Sequence, residues 1–469
     1  MNDESRNRFL LKNTLIFTLG NIGSRMISFF LIPLYTNILT TSQYGIVDLI
    51  TTISTVAGPM ITLNIAESVM RFGLDKNVDK EKNTQCGSVV LFVASLGGLL
   101  LIPVCKGVTG VSNYAFYVYF YVISLSASQL YLCDLRGKEL LLQYSIGNIL
   151  QTFMITVLNI TFLLVFKMET IGYLLAYIIA NFIVAFYALV IGKGYRSLKI
   201  SGLDTEMLKE MVRYSIVLIP NTFMWWIMNS SDRVMVTYMI GAAANGIYAV
   251  SYKLPTLVST LTGIFNQAWS YSAIREEGTR DEVEYNNRMF KTLTAIAIMM
   301  GLALLLFAKP FLKIYVSNDY YEAWKYTPFL IVGCVYLTLG TFMATSYTVH
   351  KDSFGYLFSG LFGAFFNIIL NFLWIPLIGV YGAALATCIS YIAVFTFRVF
   401  HTRKYIKYNV LYKEFMFGTV FLILSAILMF IDNIVGLILQ TILVLLGLVL
   451  FSKTWIPILE LIMNKLKRK

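Results

Sequence analysis

Charge is scarce in this sequence. Only 13% of its 469 residues are Asp, Glu, Lys or Arg, where soluble domains carry about 25%. Histidine occurs twice, at His350 and His401. The five cysteines (Cys86, Cys105, Cys133, Cys334, Cys388) form no CxxC pair, so neither a metal site nor a disulfide framework is expected. No GxxxxGK[ST] occurs. Gly192-Lys193 and Gly137-Lys138 lack both the upstream glycine and the following hydroxyl residue, so no nucleotide cradle can be assigned. HExxH, GxSxG and clusters of His, Asp and Glu are also missing. No cofactor and no catalytic residue is therefore expected, and the chain does not read as an enzyme.

What is abundant is apolar. Hydrophobic residues make up 58%, the mean hydropathy is +0.71, and apolar runs of about 20 residues recur, each able to cross roughly 30 Å of hydrocarbon as a helix. The short alternating segments of a membrane barrel are absent. The expected fold is an all-α polytopic membrane protein with about 14 transmembrane helices. Its spans are predicted at 14–34, 45–68, 85–105, 113–133, 142–166, 171–192 and 214–237, then at 246–271, 290–312, 323–347, 354–375, 380–400, 411–431 and 434–452. The first follows the basic stretch MNDESRNRFLLKN and is expected to be a retained anchor.

The formal charge of +12 is a topology signal. With both termini placed in the cytoplasm and residues near span ends counted with the side they border, 29 Lys and Arg fall on the cytoplasmic side, five on the opposite side and three deeper within spans. Nothing in that distribution points to nucleic acid. The basic tail after Trp455 reads as a segment on the membrane lipid surface.

An internal repeat is visible. TNILTTSQYGIVDL (36–49) aligns with TYMIGAAANGIYAV (237–250), with Gly45 over Gly246, and LNITFLLVFKMETIGYLLA (158–176) resembles LNFLWIPLIGVYGAALA (370–386). Parallel six-helix repeats are a transporter architecture. The expected organisation is a six-helix lobe at 1–192, a basic cytoplasmic linker at 193–213 and a second six-helix lobe at 214–404. Two extra helices and the tail occupy 405–469.

The stretch NIGSRMISFF puts Arg25 near the middle of the first span. Thr14, Thr18, Asn21, Arg25 and Ser28 follow at spacings of four and three, so they share one helix face. Asp48, Thr52, Thr55 and Thr62 repeat the pattern in span 2. Thr222, Asn229 and Arg233 mark span 7, beside Asp232 and Pro220. Lys253, Thr256, Thr260 and Gln267 mark span 8. A mid-membrane cation costs about 2.5–3.5 kcal/mol. Arg25, Arg233 and Lys253 outnumber the deep carboxylates Asp48 and Asp232, and an anionic substrate would supply the balance. The stripes predict a shared central cavity with Arg25, Arg233, Lys253, Asn21, Ser28, Asp232 and Asn229 as substrate-binding residues. Structural readings stand beside this one. Arg25 can pair with Asp232, Arg233 and Lys253 can snorkel, Asp48 suits a helix N-terminus, and Glu67 sits four before Arg71, an order that favours a structural pair. Asp48 and Glu67 are candidate coupling or structural carboxylates.

The stretch NTLIFTLGNIGSRMISFFLIPLYTNILTTSQYGIVDLI resembles the start of bacterial polysaccharide-transport proteins. These are the Wzx-type oligosaccharide flippases of the multidrug/oligosaccharidyl-lipid/polysaccharide exporter superfamily. LNIAESVMRFG (63–73) is similar to the end of helix 2 in that family. The resemblance implies two six-helix bundles in the bacterial inner membrane and a cationic cavity for the pyrophosphate of an undecaprenyl-linked oligosaccharide. Translocation by alternating access, for O-antigen, lipopolysaccharide or other surface polysaccharide, follows from it, with glycan polymerase and assembly enzymes as partners. In the related lipid II flippases arginines on helix 1 and early in the second lobe line the cavity, and Arg25 falls in a similar place. A cation-extruding multidrug antiporter of the same superfamily is the alternative. A glycan polymerase or acyltransferase is a second, although the outer loops are short and carry no histidine.

Overall fold

The computed structural model describes residues 29–107, 110–198, 202–410 and 412–456, and among these it contains helices and no strand. Arg25, Asn21 and Ser28 lie outside the described residues. The chain divides into two compact units between Trp226 and Ile227, and Gly241–Gly246 belongs with the first.

The first unit holds α1 (Ile32–Ile38), α2 (Thr41–Ile61), α3 (Ile65–Gly73), α4 (Lys80–Gly98), α5 (Leu101–Lys106), α6 (Ala115–Gly137), α7 (Leu141–Asn159) and α8 (Glu169–Ile191). The division runs through α9 (Thr205–Met239), and α10 (Ala242–Ser251) begins in the first unit. The second unit continues with α11 (Lys253–Arg275), α12 (Glu282–Tyr315), α13 (Thr327–Val349), α14 (Ser353–Ile378) and α15 (Val380–His401). It closes with α16 (Lys413–Leu428) and α17 (Ile434–Leu450).

Every span predicted from residue 45 onward is occupied by helix, and among the described residues nine helices are long and apolar enough to cross a membrane. The chain is an all-α polytopic membrane protein. Of the helices on the remaining predicted spans, α9 and α11 carry the polar stripes that lower their hydropathy, and α16 and α17 are 16 and 17 residues long. Among the described residues all five cysteines are free thiols.

Local chemistry explains the breaks. Thr40 and Gln43 close a reciprocal cap at the start of α2: the Gln43 amide donates to Thr40 Oγ1 at 3.2 Å and the Thr40 amide to Gln43 Oε1 at 2.9 Å. At the other end the predicted span 45–68 is not one continuous helix. Pro59 is followed by Leu63 and Asn64 at φ 53° and 56°, and these left-handed residues separate α2 from α3. In span 8 Tyr252 separates α10 from α11, three residues before Pro255. Pro220, by contrast, lies inside an unbroken α9 of 35 residues.

The first unit packs Val69 of α3, Leu130 and Leu135 of α6, and Val184 and Ala188 of α8 into one apolar core. An ion pair ties its helix ends. Lys138 Nζ lies 2.6 Å from Asp134 and donates to the Gly192 carbonyl at 2.8 Å, while Thr84 Oγ1 donates to the other Asp134 oxygen at 2.6 Å. In the second unit α13 is the innermost helix, with 83% of its apolar window buried. Trp269 stacks on Phe342 at 4.6 Å, and Phe290 and Tyr408 complete that aromatic layer.

Candidate functional site

Polar residues of the first unit fall into two groups. At the start of α2, Asp48 is buried and accepts from Asn245 Nδ2 at 3.4 Å. The same amide donates to the Gly45 carbonyl at 3.0 Å. Asp48 thus fixes the entry of α10 against α2. Farther along, the stripe hydroxyls turn back on their own helix: Thr55 Oγ1 donates to Thr52 O and Thr62 Oγ1 to Gly58 O, at 2.7 and 2.8 Å. The Thr52 carbonyl also accepts from Trp226 Nε1 at 2.8 Å. These two hydroxyl protons are already engaged, so Thr55 and Thr62 keep acceptor capacity only.

The second group lines a cavity of about 740 Å³ formed by the α2–α3 turn, α6, α7 and the first part of α9. Its polar lining includes Asn64, Glu67, Gln129, Asn148, Gln151 and Asn221. The structure does not join Glu67 to Arg71. Glu67 is half-buried on the cavity wall, Arg71 is exposed, and among the described residues no ion pair links them. The helical spacing permits the pair, but Glu67 takes the cavity wall and Arg71 the exposed surface.

In the second unit the structure assembles a network that only Asp232 and Asn229 announced. Asp232 of α9 is 1% exposed. Its Oδ2 accepts from the hydroxyls of Tyr248 at 2.7 Å, of Thr387 at 3.0 Å and of Tyr252, and its Oδ1 accepts the Arg233 amide at 2.9 Å. Thr387 accepts from Asn367 Nδ2 at 3.3 Å, and Asn367 Oδ1 accepts from Ser231 at 3.2 Å and from Asn371 at 2.9 Å. Among the described residues Asp232 forms no ion pair. Arg233 instead lays its guanidinium over the Tyr252 ring, 4.7 Å from the centroid. Adjacent positions on a helix point apart, and Tyr252 bridges them, its hydroxyl on one and its face on the other. Lys253, half-buried, begins α11 directly after it. Asn229 Oδ1 accepts from Tyr391 at 2.9 Å.

Tyr248, Asn367, Asn371 and Thr387 were not identified from sequence, because single polar residues in apolar helices carry no stripe. Asn367 and Asn371, four apart, were the available signal. In the same way Tyr144, Asn148 and Gln151 stand at spacings of four and three on α7, a face hidden by the apolar composition of that span. Arg398 is a buried cation that the sequence count assigned to the cytoplasmic side. It is 1% exposed and donates to Ser359 Oγ and to the Gly340 carbonyl, both at 3.0 Å. Among the described residues no group of three or more His, Cys, Asp or Glu is placed to hold a metal ion.

The fold is shared with solved transporters. The lipid II flippase MurJ, in its inward closed conformation, superposes with a TM-score of 0.65 at 16% identity, over 95% of this chain and 99% of that one. A multidrug resistance MATE family transporter of the MOP superfamily, inward-facing, gives a TM-score of 0.61 at 13% identity, over 87% and 95%. A MOP superfamily transporter from Pyrococcus furiosus gives 0.56 at 13%, over 88% and 95%. No curated protein sequence matches. The family model described as "Polysaccharide biosynthesis protein" matches residues 10–271. That is more than half of the sequence, and the chain belongs to this family.

Proposed function

We propose that the protein is a flippase. It translocates polyprenyl (undecaprenyl) diphosphate-linked oligosaccharide across the bacterial inner membrane by alternating access, for surface polysaccharide biosynthesis. The observation that carries this reading is membership of a polysaccharide biosynthesis family, matched over residues 10–271, which supports a glycan-bearing anion as the substrate of a cavity that carries Arg233 and Lys253. Cations in a polar cavity attract a diphosphate more than they attract a drug cation. Arg25 joins them on the stripe argument, with Asn21, Ser28 and Asn229 as neutral contacts. The substrate comes from glycan assembly enzymes and passes to a polymerase on the far side.

Transport of lipid-linked oligosaccharide into proteoliposomes tests this. Wild type moves it, Arg25→Ala and Arg233→Ala lose most of the rate, and Arg25→Lys retains part. Unaltered transport by folded Arg25→Ala and Arg233→Ala proteins sinks the cationic-cavity role. Export of a lipophilic cation in place of the glycan lipid would move the protein to the multidrug branch.

A further inference from the structure

The cavity of the first unit differs in chemistry from a diphosphate site. No Lys or Arg is among its lining residues, and its one charged group, Glu67, is negative. A diphosphate would be repelled there. What the walls offer is carboxamide: Asn64 at the α2–α3 turn, Gln129 on α6, Asn148 and Gln151 on α7, and Asn221 on α9. Each carboxamide presents a donor pair beside an acceptor, which matches the vicinal hydroxyls of a sugar ring. Gln151 is engaged, donating to Asn181 Oδ1 at 2.7 Å. The side chains of Asn64, Gln129 and Asn221, and the Glu67 carboxylate, form no hydrogen bond among the described residues.

Aromatic faces complete the lining. Tyr144 and Tyr214 reach the same cavity. The Arg136 guanidinium lies 5.4 Å from the Tyr144 centroid, and Phe72 meets Tyr214 edge-on at 6.0 Å. Both rings are thereby held, and a held aromatic face is what the apolar face of a pyranose stacks on. A volume of about 740 Å³ lies within the ~300–1,000 Å³ range of ligand pockets, enough for sugar residues.

We propose that this cavity is the glycan subsite, taking the sugars of the lipid-linked substrate while the cations take its diphosphate. The assignment rests on the translocation reading above and adds to it a division of labour. Gln129 and Asn221 contact sugar hydroxyls, Glu67 accepts from hydroxyl or amide protons, and Tyr144 stacks on a ring.

The test compares two probes on the full chain in lipid nanodiscs. One is bare undecaprenyl diphosphate. The other is the pool of undecaprenyl diphosphate-linked oligosaccharide extracted from the source cells. Gln129→Leu and Asn221→Leu should each weaken binding of the glycan-bearing pool about threefold to tenfold, the range for a neutral hydrogen bond. Binding of bare undecaprenyl diphosphate should change less than twofold, and Gln129→Asn should recover part of the loss. An equal loss for both probes would make the effect structural and overturn the subsite. So would unchanged binding of both, which leaves a hydrated vestibule. If tetraphenylphosphonium binds wild type and is lost in Glu67→Gln, the cavity is a cation site and the proposal fails. If wild type binds neither lipid probe, the translocation reading falls and the subsite with it, an outcome distinct from a wild type that binds the glycan pool as its leucine variants do.

Discussion

Gly45 and Gly246, aligned with each other in the internal repeat, meet backbone to backbone. A methyl added to Gly45 would stand 1.8 Å from the Ala242 carbonyl oxygen, and one added to Gly246 would stand 2.0 Å from that of Thr41. The contact is two-fold in pattern, since each glycine faces the carbonyl four residues before the other. It brings the starts of α2 and α10 together, where Asn245 then reaches the Gly45 carbonyl and Asp48.

Gly45→Ala and Gly246→Ala should therefore destabilise the protein, each by about 1–3 kcal/mol or more, because the opposing atoms are backbone and cannot turn aside. Gly97→Ala is the control. It has nothing within 4 Å of its added methyl and should be neutral or slightly stabilising, helical alanine being favoured over glycine. Thermal unfolding of purified protein in detergent measures all three, and an equal response would remove the close contact as the cause.

The Asp232 network predicts unequal costs. Tyr252→Phe removes one of several donors and keeps the ring beneath Arg233, so a loss of about 1 kcal/mol is expected. Asp232→Leu leaves Tyr248, Tyr252 and Thr387 without their common acceptor and should cost more, with a double variant that also carries Thr387→Val less than additive. Additive losses in thermal unfolding would mean the groups do not act together.

Lys138 and Asp134 form a largely buried pair. Lys138→Met should destabilise by about 3 kcal/mol, since it strands the carboxylate against Thr84. Asp134→Leu combined with Lys138→Met should restore much of the loss. A double variant as unstable as the single would show that the pair's geometry, and not the stranded charge, matters.

Asp352 gives the protein a defined acid sensitivity. It caps α14 by accepting the Gly355 amide at 2.8 Å, and it receives Lys404 Nζ at 2.9 Å and the Tyr405 hydroxyl at 2.8 Å. These donors, the Gly355 amide foremost, lower its pKa from 3.8 to about 2. A lowered native pKa means stabilisation present above about pH 4 and lost as pH falls towards 2. The melting temperature of wild type should drop more steeply over that interval than that of Asp352→Asn. Parallel curves would contradict the assignment.

Helix identity was legible because a membrane leaves the backbone few choices. Without water each amide must bond within its own segment, so apolar runs of sufficient length declare helices. The repeat was legible too, and the glycine pair it aligned proved to be a contact. Polar faces were readable where three or four residues recurred, as at Asp48 to Thr62. They were invisible where a lone Asn367 or Thr387 met partners from other helices. The Glu67–Arg71 pairing failed for a related reason, since spacing permits a pair but the walls around it decide where the carboxylate turns.

The sequence alone determined the class, the helical spans after the first and the family, because hydropathy and a local signature are properties of consecutive residues. Which polar groups meet was decided only by tertiary structure. Asp232 with Thr387, Asn245 with Asp48, and the carboxamides around one cavity are brought together from positions up to about 200 apart in the chain. Their hydrogen bonds depend on how the helices pack, and no spacing along a single helix encodes that.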